Sequence, residues 1–274
     1  MHTNRVSSTS DAISLEAAAG ETAWEDNLVS IITPAYKAAR VISETVASVQ
    51  AQTHGRWEML IAEDCGPDDT RAIVSALARG DNRIRLITPL RNGGPARARN
   101  HALAQARGRW VAFLDSDMWL PDKLERQLAF HRANDHAVLS FTGFRRISAD
   151  GVRTGSYIPV PASLGYRQLL GNTAIATSTV IIDRAHSGEF AMRPTYYDDF
   201  ACWLALLKDG GVAVGLDEDL MRYRVMEASV SRDKRNSAKQ VWLAYRNIER
   251  LNPFAAAWYF TQYAARAFRK YHQF

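Results

Sequence analysis

The sequence predicts an α/β fold in which a mostly parallel, Rossmann-like central sheet carries helices on both faces. One observation behind this prediction is a series of four short apolar runs that begin at residues 28, 58, 84 and 110, and are therefore 30, 26 and 26 residues apart. This spacing is about that of one strand–helix–strand unit. The other is that helical patterns lie between the runs, and such alternation is typical of a parallel sheet.

Each element follows from a local pattern. The first apolar run is stopped by Pro34, as expected of a buried strand, and apolar residues from Val41 onward then repeat at helical spacing. Asp68 is placed to cap the second helix, and Pro95 opens the third, where its missing N–H costs nothing. The four strands are predicted at Leu28–Thr33, Glu58–Ala62, Ile84–Ile87 and Trp110–Leu114.

Outside residues 28–135 the alternation is less regular. Residues 1–27 are rich in Ser, Thr, Ala and Glu and predict a loosely ordered leader. The other predicted elements are strands at Val138–Ile147 and Thr177–Ile182, a helix from Asp199 to Lys208, short strands at Val212–Val214 and Leu220–Arg224, and helices over 236–250 and 254–271.

Composition excludes several classes of protein. Of the 274 residues, 47% are hydrophobic and 23% charged, as in ordinary globular proteins, and the net charge is only +5. The two cysteines, Cys65 and Cys202, form no CxxC, so we expect neither a disulfide framework nor a cysteine zinc site. No apolar stretch approaches the ~20 residues that span a bilayer. We therefore expect a cytoplasmic protein, unless a surface contact holds it to the membrane.

Functional side chains follow the predicted strands. Ligands of open parallel sheets bind beyond the carboxyl ends of the strands. These ends carry Tyr36, Glu63-Asp64, Arg91–Gly94 and Asp115–Asp117. Neither GxGxxG nor GxxxxGK[ST] occurs, which argues against a dinucleotide oxidoreductase and a P-loop enzyme.

The triplet Asp115-Ser116-Asp117 is the most informative of these segments. Two carboxylates one residue apart, directly after a buried strand, can bind Mg²⁺ or Mn²⁺ and leave positions for a diphosphate. The alternative, a solvated acidic turn, is less favoured because of the position after the fourth strand. Arg97 and Arg99, at a helix start, either meet phosphate groups or form a solvated basic face.

Four motifs follow one another along the chain: Val29–Tyr36, Ala62–Thr70, Ala96–Asn100 and Phe113–Asp117. In this order they resemble family 2 glycosyltransferases with the GT-A fold, and the similarity covers about residues 28–235. This resemblance implies a nucleotide-sugar half over 28–135, an acceptor half over 136–235, and C-terminal helices over 236–274.

The resemblance also implies roles for single residues. Asp115 and Asp117 would form the metal-binding DxD motif for Mn²⁺ or Mg²⁺. The other contacts expected with the UDP of the donor are Pro34, Tyr36, Asp64, Arg97 and Ser116. Without the resemblance, Tyr36 is also explained by packing and Asp64 by helix capping.

Asp198 and Asp199 match the family segment that carries the general base. Asp199 would take the proton of the acceptor hydroxyl in an inverting transfer, and Asp198 would orient the site. The alternative is an acidic helix start that interacts with the helix dipole. Arg232 is expected to reach a phosphate.

The sequence departs from the family pattern at three positions. Cys65 stands where relatives have Gly, which predicts a change in loop shape. Met118 replaces a frequent third Asp, and Met226 replaces a frequent His.

We therefore expect an inverting UDP-sugar transferase of bacterial surface polysaccharide synthesis, with a lipid-linked saccharide acceptor and no nucleic-acid partner. The alternatives are an inactive nucleotide-sugar-binding or scaffolding protein on the same fold and, less favoured, a nucleotidyltransferase. The nucleotidyltransferase would need a Gly-rich N-terminal loop ending in Arg and Lys, which the sequence lacks.

The segment 254–274 has two interpretations. On a helical wheel Gln262, Arg266, Arg269 and Lys270 form a polar, basic strip beside an aromatic face that includes Phe260 and Tyr263. This pattern suits a helix lying on an anionic bilayer at the inner face of the membrane, and it suits equally a helix that packs on the catalytic domain.

Overall fold

The computed structural model describes residues 24–172, 174–225 and 234–271, with the side chains of 234–235 and 267–271 outside this description. The first strand begins at Glu25, so the predicted leader is three residues too long, and residues 1–23 lie outside the described residues. The described strands are β1 Glu25–Ala35, β2 Trp57–Glu63, β3 Ile84–Ile87, β4 Gly108–Phe113, β5 Met118–Trp119, β6 Leu139–Ile147, β7 Thr154–Ile158, β8 Ser163–Gly165, β9 Ile181–Asp183 and β10 Val212–Arg224.

The described helices alternate with the strands in the first half of the chain. Pro95 is the first residue of its helix, as predicted. The second helix begins at Thr70, and the Asp68 carboxylate accepts the Thr70 N–H (3.4 Å). The helices are α1 Ile42–Gln50, α2 Thr70–Gly80, α3 Pro95–Leu103, α4 Lys123–Ala133, α5 Tyr166–Leu170, α6 Arg184–Ser187, α7 Asp198–Leu207, α8 Lys234–Leu243 and α9 Pro253–Tyr271.

The strands form one mixed sheet in the order β3-β2-β1-β4-β9-β6-β10-β5, with β7 beside β6 and β8 beside β10. The ladders between β1, β2, β3 and β4 are parallel. Ala35 lies opposite Glu63, and Ile32 opposite Phe113, so β1, β2 and β4 end at the same edge. This register brings the side chains that follow these strands together.

The three-residue strand β9 joins the two halves of the sheet. It runs antiparallel to both β4 and β6, while β6 and β10 are parallel to each other. The predicted α/β class and the mostly parallel character are confirmed, and β9 adds the antiparallel connection. The sheet continues across the boundary predicted at 135/136.

Helices cover both faces of the sheet, as predicted. On one face α1, α2 and α4 bury Val46, Val74 and Leu128 against the strands. On the other face α3 and α7 bury Ala98 and Trp203, and α5, α8 and α9 extend that layer.

Two local predictions are wrong. Thr177–Thr179 form a 3₁₀ turn instead of a strand, because the Thr179 N–H and hydroxyl both donate to the Ala176 carbonyl. The two short strands predicted at 212–214 and 220–224 are one strand, β10, because shifts in pairing register near Leu216 and Asp219 accommodate the polar interruption.

The C-terminal helix α9 packs on the domain. Tyr259, Phe260 and Tyr263 lie against the core, and the Arg266 guanidinium donates to the Gly171 carbonyl (2.6 Å). The aromatic face noted in the sequence is thus turned inward. Phe254 (88% exposed) and Trp258 (65% exposed) lie on the outer side.

Candidate active site

A cleft of about 400 Å³ opens at the carboxyl ends of β1, β2 and β4. Five of the predicted nucleotide contacts line it: Pro34, Tyr36, Asp64, Asp115 and Ser116. Arg97 does not line this cleft. It is exposed in an adjoining pocket of about 280 Å³, together with Arg91 and His101. Asp64 borders both spaces.

Tyr36 projects from the end of β1 at the mouth of the cleft. Its side chain is 50% exposed, and the Lys37 ammonium lies 5.3 Å from the ring centroid. The interpretation that this aromatic is a core packing residue is therefore wrong, because half of the ring faces solvent. An exposed ring beside a cleft can stack on a nucleobase.

Asp64 shapes the glycine loop that forms the opposite wall. Its carboxylate accepts the N–H groups of Gly93 (2.9 Å) and Gly94 (2.8 Å), and its carbonyl accepts the Asn92 amide. Because Gly94 directly precedes α3, Asp64 also binds an N–H group at the start of this helix, so the capping alternative is compatible with the structure. A carboxylate has about four lone-pair sites, and the two that remain suit the N–H groups of a base.

Cys65 occupies a backbone position that favours glycine. Its φ is +55°, in the left-handed region, and its thiol donates to the Pro89 carbonyl (3.3 Å). The neighbouring Glu63 is fully buried and accepts the Gly66 N–H and the Arg71 guanidinium. The backbone at Cys65 therefore adopts the left-handed conformation that Gly favours, although this residue carries a side chain.

Arg99 lies at the centre of the site. Its buried guanidinium donates to both oxygens of Asp115 (2.7 and 2.8 Å) and to Asp198 (2.6 Å). Burial lowers the pKa of Arg99, but the charges of Asp115 and Asp198 more than compensate and raise it above its ordinary value. The predicted solvated basic face is therefore wrong for Arg99, which is the counter-ion of two site carboxylates.

Asp117 differs from Asp115 in its surroundings. It is buried, and it accepts the Arg224 N–H (2.8 Å), whereas the Asp115 side chain is 36% exposed. Burial raises the pKa of Asp117 to about 7, and the charge of Asp115 adds to this, while hydrogen bonds from Ser178 and Arg224 oppose it. The pKa is raised because the negative charge of ionised Asp117 is unfavourable in a buried position. A bound cation would stabilise this charge.

The carboxylates fit the divalent metal that the family resemblance implies. Among the residues that the structure describes, no three His, Cys, Asp or Glu side chains gather into a metal site. Asp115 and Asp117 would therefore be the protein's own ligands, and oxygen atoms of substrate or water would complete the shell, as hard cations prefer. Bound there, the metal would neutralise charge on a departing diphosphate.

Asp198 and Asp199 open α7 close to Arg99. Burial is the main cause that raises the pKa of Asp198 to about 6, and the Arg99 charge opposes it. Asp199 accepts the Thr177 hydroxyl (2.7 Å) and the Phe200 N–H (2.6 Å). The bond to Phe200 shows that Asp199 also satisfies the helix start, so the two interpretations of this pair are compatible.

Three residues of this site were missed in the sequence. Arg224 donates its N–H to Asp117 and its guanidinium to the carbonyl of Ser116 (3.3 Å). Thr177 and Ser178 lie in the turn that was predicted as a strand, and Ser178 accepts the Asp115 N–H. The sequence Thr177-Ser178-Thr179, three hydroxyl residues directly before an apolar run, could have indicated a turn at this position. Arg232 and Met226 lie outside the described residues.

The fold and these carboxylates define a class of transferase, and comparison with known sequences identifies it. The profile of the family described as "Glycosyl transferase family 2" matches residues 30–186. The chain belongs to this family and is a glycosyltransferase, as predicted.

Two relatives illustrate the similarity over nearly the whole chain. TuaG of Bacillus subtilis (strain 168), named for teichuronic acid biosynthesis, is 45% identical over 91% of this chain and 99% of its own length. The Escherichia coli UDP-Glc:alpha-D-GlcNAc-diphosphoundecaprenol beta-1,3-glucosyltransferase WfgD is 34% identical over 90% and 96%.

Solved structures with low sequence identity share the fold. S. aureus TarS 1–349 in complex with UDP-GlcNAc superposes with a TM-score of 0.67 at 19% identity, over 88% of this chain and 72% of the TarS 1–349 chain. The mannosyltransferase PcManGT from Pyrobaculum calidifontis in complex with GDP-Man and Mn²⁺ gives 0.65 at 15% identity, over 89% and 74%.

In the described part of the chain, every helix is too short or too polar to cross a bilayer.

Proposed function

We propose that this chain transfers a sugar, with inversion, from a UDP-sugar to a lipid-linked saccharide in bacterial surface polysaccharide synthesis. The observation that carries the proposal is that one buried guanidinium, Arg99, joins Asp115 of the DxD motif to Asp198, next to the proposed base. The names of the relatives support the substrates, because WfgD uses UDP-Glc and a diphosphoundecaprenol acceptor and TarS was crystallised with UDP-GlcNAc.

The donor would lie in the cleft with its base between Tyr36 and Asp64. Asp115 and Asp117 would hold Mn²⁺ or Mg²⁺ against the diphosphate, and the PcManGT complex with Mn²⁺ supports a metal on this fold. Pro34 and Ser116 line the same cleft. Arg97, in the adjoining pocket, would contact the donor only if the donor extends beyond the cleft. Arg232, outside the described residues, would contact a phosphate of the donor.

Asp199 would be the general base. It is half-buried rather than enclosed, so an acceptor hydroxyl can reach it, whereas Asp198 is buried and paired with Arg99. An inverting transfer needs one carboxylate that removes the acceptor proton on the side opposite the leaving UDP. An inactive scaffold would not need this arrangement, so the geometry favours the enzyme.

Helix α9 would hold the enzyme at the membrane through its outer side. Phe254 and Trp258 are exposed one helical turn apart, while the inner aromatic residues pack on the core. Exposed aromatic side chains on an amphipathic helix insert into the headgroup region of bilayers. A lipid-linked acceptor would then be within the reach of a peripheral enzyme.

A donor panel tests the proposal. The full chain with Mn²⁺ is offered several UDP-sugars and a synthetic GlcNAc-diphosphate lipid, and UDP release and product mass are measured. Transfer that requires the acceptor supports the proposal. If UDP is released only slowly and the acceptor does not accelerate its release, the proposed acceptor class is wrong. If the chain binds no UDP-sugar, the proposed donor class is wrong.

A further inference from the structure

The turn Thr177–Thr179 contacts both groups of site carboxylates. The Ser178 hydroxyl accepts the Asp115 N–H (3.1 Å). The Thr177 hydroxyl donates to Oδ2 of Asp199 (2.7 Å). Two consecutive residues thus hold one of the proposed metal ligands and the proposed base.

Hydrogen bonds from buried side chains to its carbonyl groups hold the turn itself in place. The Trp119 indole N–H donates to the Ser178 carbonyl (2.7 Å), and the Gln127 amide donates to the Thr179 carbonyl (2.9 Å). The Lys123 ammonium lies 3.7 Å from the centroid of the Trp119 ring. Because every member of this support is buried, the turn has little freedom to shift.

The two bonds of Asp199 differ in what they fix. The Phe200 N–H belongs to the same helix, so this bond fixes the carboxylate relative to α7 only. The Thr177 hydroxyl comes from the turn that leads into β9, and β9 pairs with β4, so this bond fixes the carboxylate relative to the donor side of the cleft. A shift of about 1 Å between reacting groups can cost about 10²-fold in rate.

We propose that Thr177 is the positioning residue for Asp199, and that Ser178 does the same for Asp115, so that this turn sets the distance between base and donor. The proposal rests on the proposed function. It assigns a role in turnover to Thr177 and a role in metal-dependent donor binding to Ser178.

The test compares hydroxyl deletions within the turn. Thr177→Val removes the hydroxyl with little change of shape, and Thr177→Ser restores it. Thr142→Val is the control, because Thr142 is also buried but lies in β6, outside the turn. Steady-state kinetics on the best donor and acceptor of the panel give kcat and the donor KM, and calorimetry gives UDP affinity with Mn²⁺.

We expect Thr177→Val to lower kcat roughly 10- to 100-fold with donor KM and UDP affinity nearly unchanged, and Thr177→Ser to recover most of the loss. Thr142→Val keeps its kcat. Ser178→Ala weakens UDP binding with Mn²⁺ about tenfold, because an unsupported Asp115 binds the cation less well.

Three results would overturn the proposal: a normal kcat in Thr177→Val, an equal loss of kcat in Thr142→Val, or no recovery of kcat in Thr177→Ser. Failure of the proposed function is distinguishable from these. If the wild-type chain transfers no sugar, the proposed function is wrong. The role of the turn in donor binding is then tested only by the calorimetric UDP affinity with Mn²⁺. In that case, unchanged UDP affinity in Ser178→Ala overturns the positioning role, and a tenfold loss supports it.

Discussion

Asp115 and Asp198 share one counter-ion. Arg99 holds both oxygens of Asp115 through Nη2 and one oxygen of Asp198 through Nη1, at 2.6–2.8 Å. Because the guanidinium and Asp198 are both buried, the fork geometry of Arg is needed to satisfy two carboxylates from two parts of the chain.

The first prediction is that Arg99→Lys destabilises the fold and lowers turnover. A lysine keeps the charge but cannot serve both carboxylates, so one is left buried without its partner. We expect a loss of about 1–3 kcal/mol in the free energy of unfolding, measured by urea denaturation. Arg79→Lys, at an exposed arginine at the end of α2, is the control and keeps its stability. Equal stability of the two variants would contradict the central role of Arg99.

The second prediction concerns the metal. Two carboxylates hold a divalent ion weakly, so UDP and the ion are expected to bind cooperatively. UDP affinity, measured by calorimetry, drops at least tenfold in EDTA or in Asp117→Ala, which corresponds to about 1.4 kcal/mol or more. Asp122→Ala removes a nearby exposed carboxylate and leaves the affinity unchanged. The metal assignment is wrong if Asp117→Ala binds UDP with Mn²⁺ as tightly as the wild type.

The third prediction separates chemistry from binding at Asp199. Asp199→Asn keeps the shape of the side chain but not its basicity. We expect turnover to fall by about 10² to 10⁴ while UDP-sugar affinity stays nearly constant. Full activity of this variant on a competent acceptor would move the role of base to Asp198.

The fourth prediction is a pH dependence of stability from His131. This side chain is buried between Ser140 (3.0 Å) and the Ala137 carbonyl (3.1 Å), and burial lowers its pKa below the ordinary 6.5. Below pH 6.5 the unfolded chain therefore binds a proton at His131 that the folded chain does not bind. The contribution of neutral His131 to the free energy of unfolding is therefore fully present above pH 6.5 and is lost as the pH falls.

Urea denaturation of wild type and His131→Asn at pH 7.5 and 5.5 measures this effect. The stability difference between the two proteins narrows at pH 5.5, by at most about 1.4 kcal/mol per pH unit. His136→Asn, at an exposed histidine, shows no such narrowing. A constant difference for His131→Asn would show that His131 is protonated equally in both states.

The fifth prediction concerns the outer side of α9. Replacing Phe254 and Trp258 together by Ser removes the exposed aromatic groups without touching the packed face. Co-sedimentation with vesicles that contain anionic phospholipid falls several-fold, because fully burying one such side chain contributes about 1.5–3 kcal/mol. The control Thr261→Ser retains binding. If the full-length protein ignores these vesicles, the helix serves packing alone.

Local patterns in the sequence were sufficient for the first four strands and for the position of Asp115 in the cleft at the end of these strands. Each of these depends on residues that are neighbours in the chain. The roles of Arg99, Ser178 and Arg224 depend on partners far along the chain, 99 residues apart for Arg99 and Asp198, and no local pattern contains that information. The orientation of α9 was undecidable for the same reason, since either face of an amphipathic helix can find a partner.

The position of β9 limits how enzymes of this shape can be recombined. This strand follows β6 in the chain but pairs with β4, in the half of the sheet that was built from the first part of the chain. A chimera joined at residue 135 would therefore place a foreign β9 against β4 and a foreign Thr177–Ser178 turn against the native Asp115. To exchange acceptor specificity between relatives, the two chains should be joined after Asp183. Otherwise the turn and the DxD segment should be taken from the same parent.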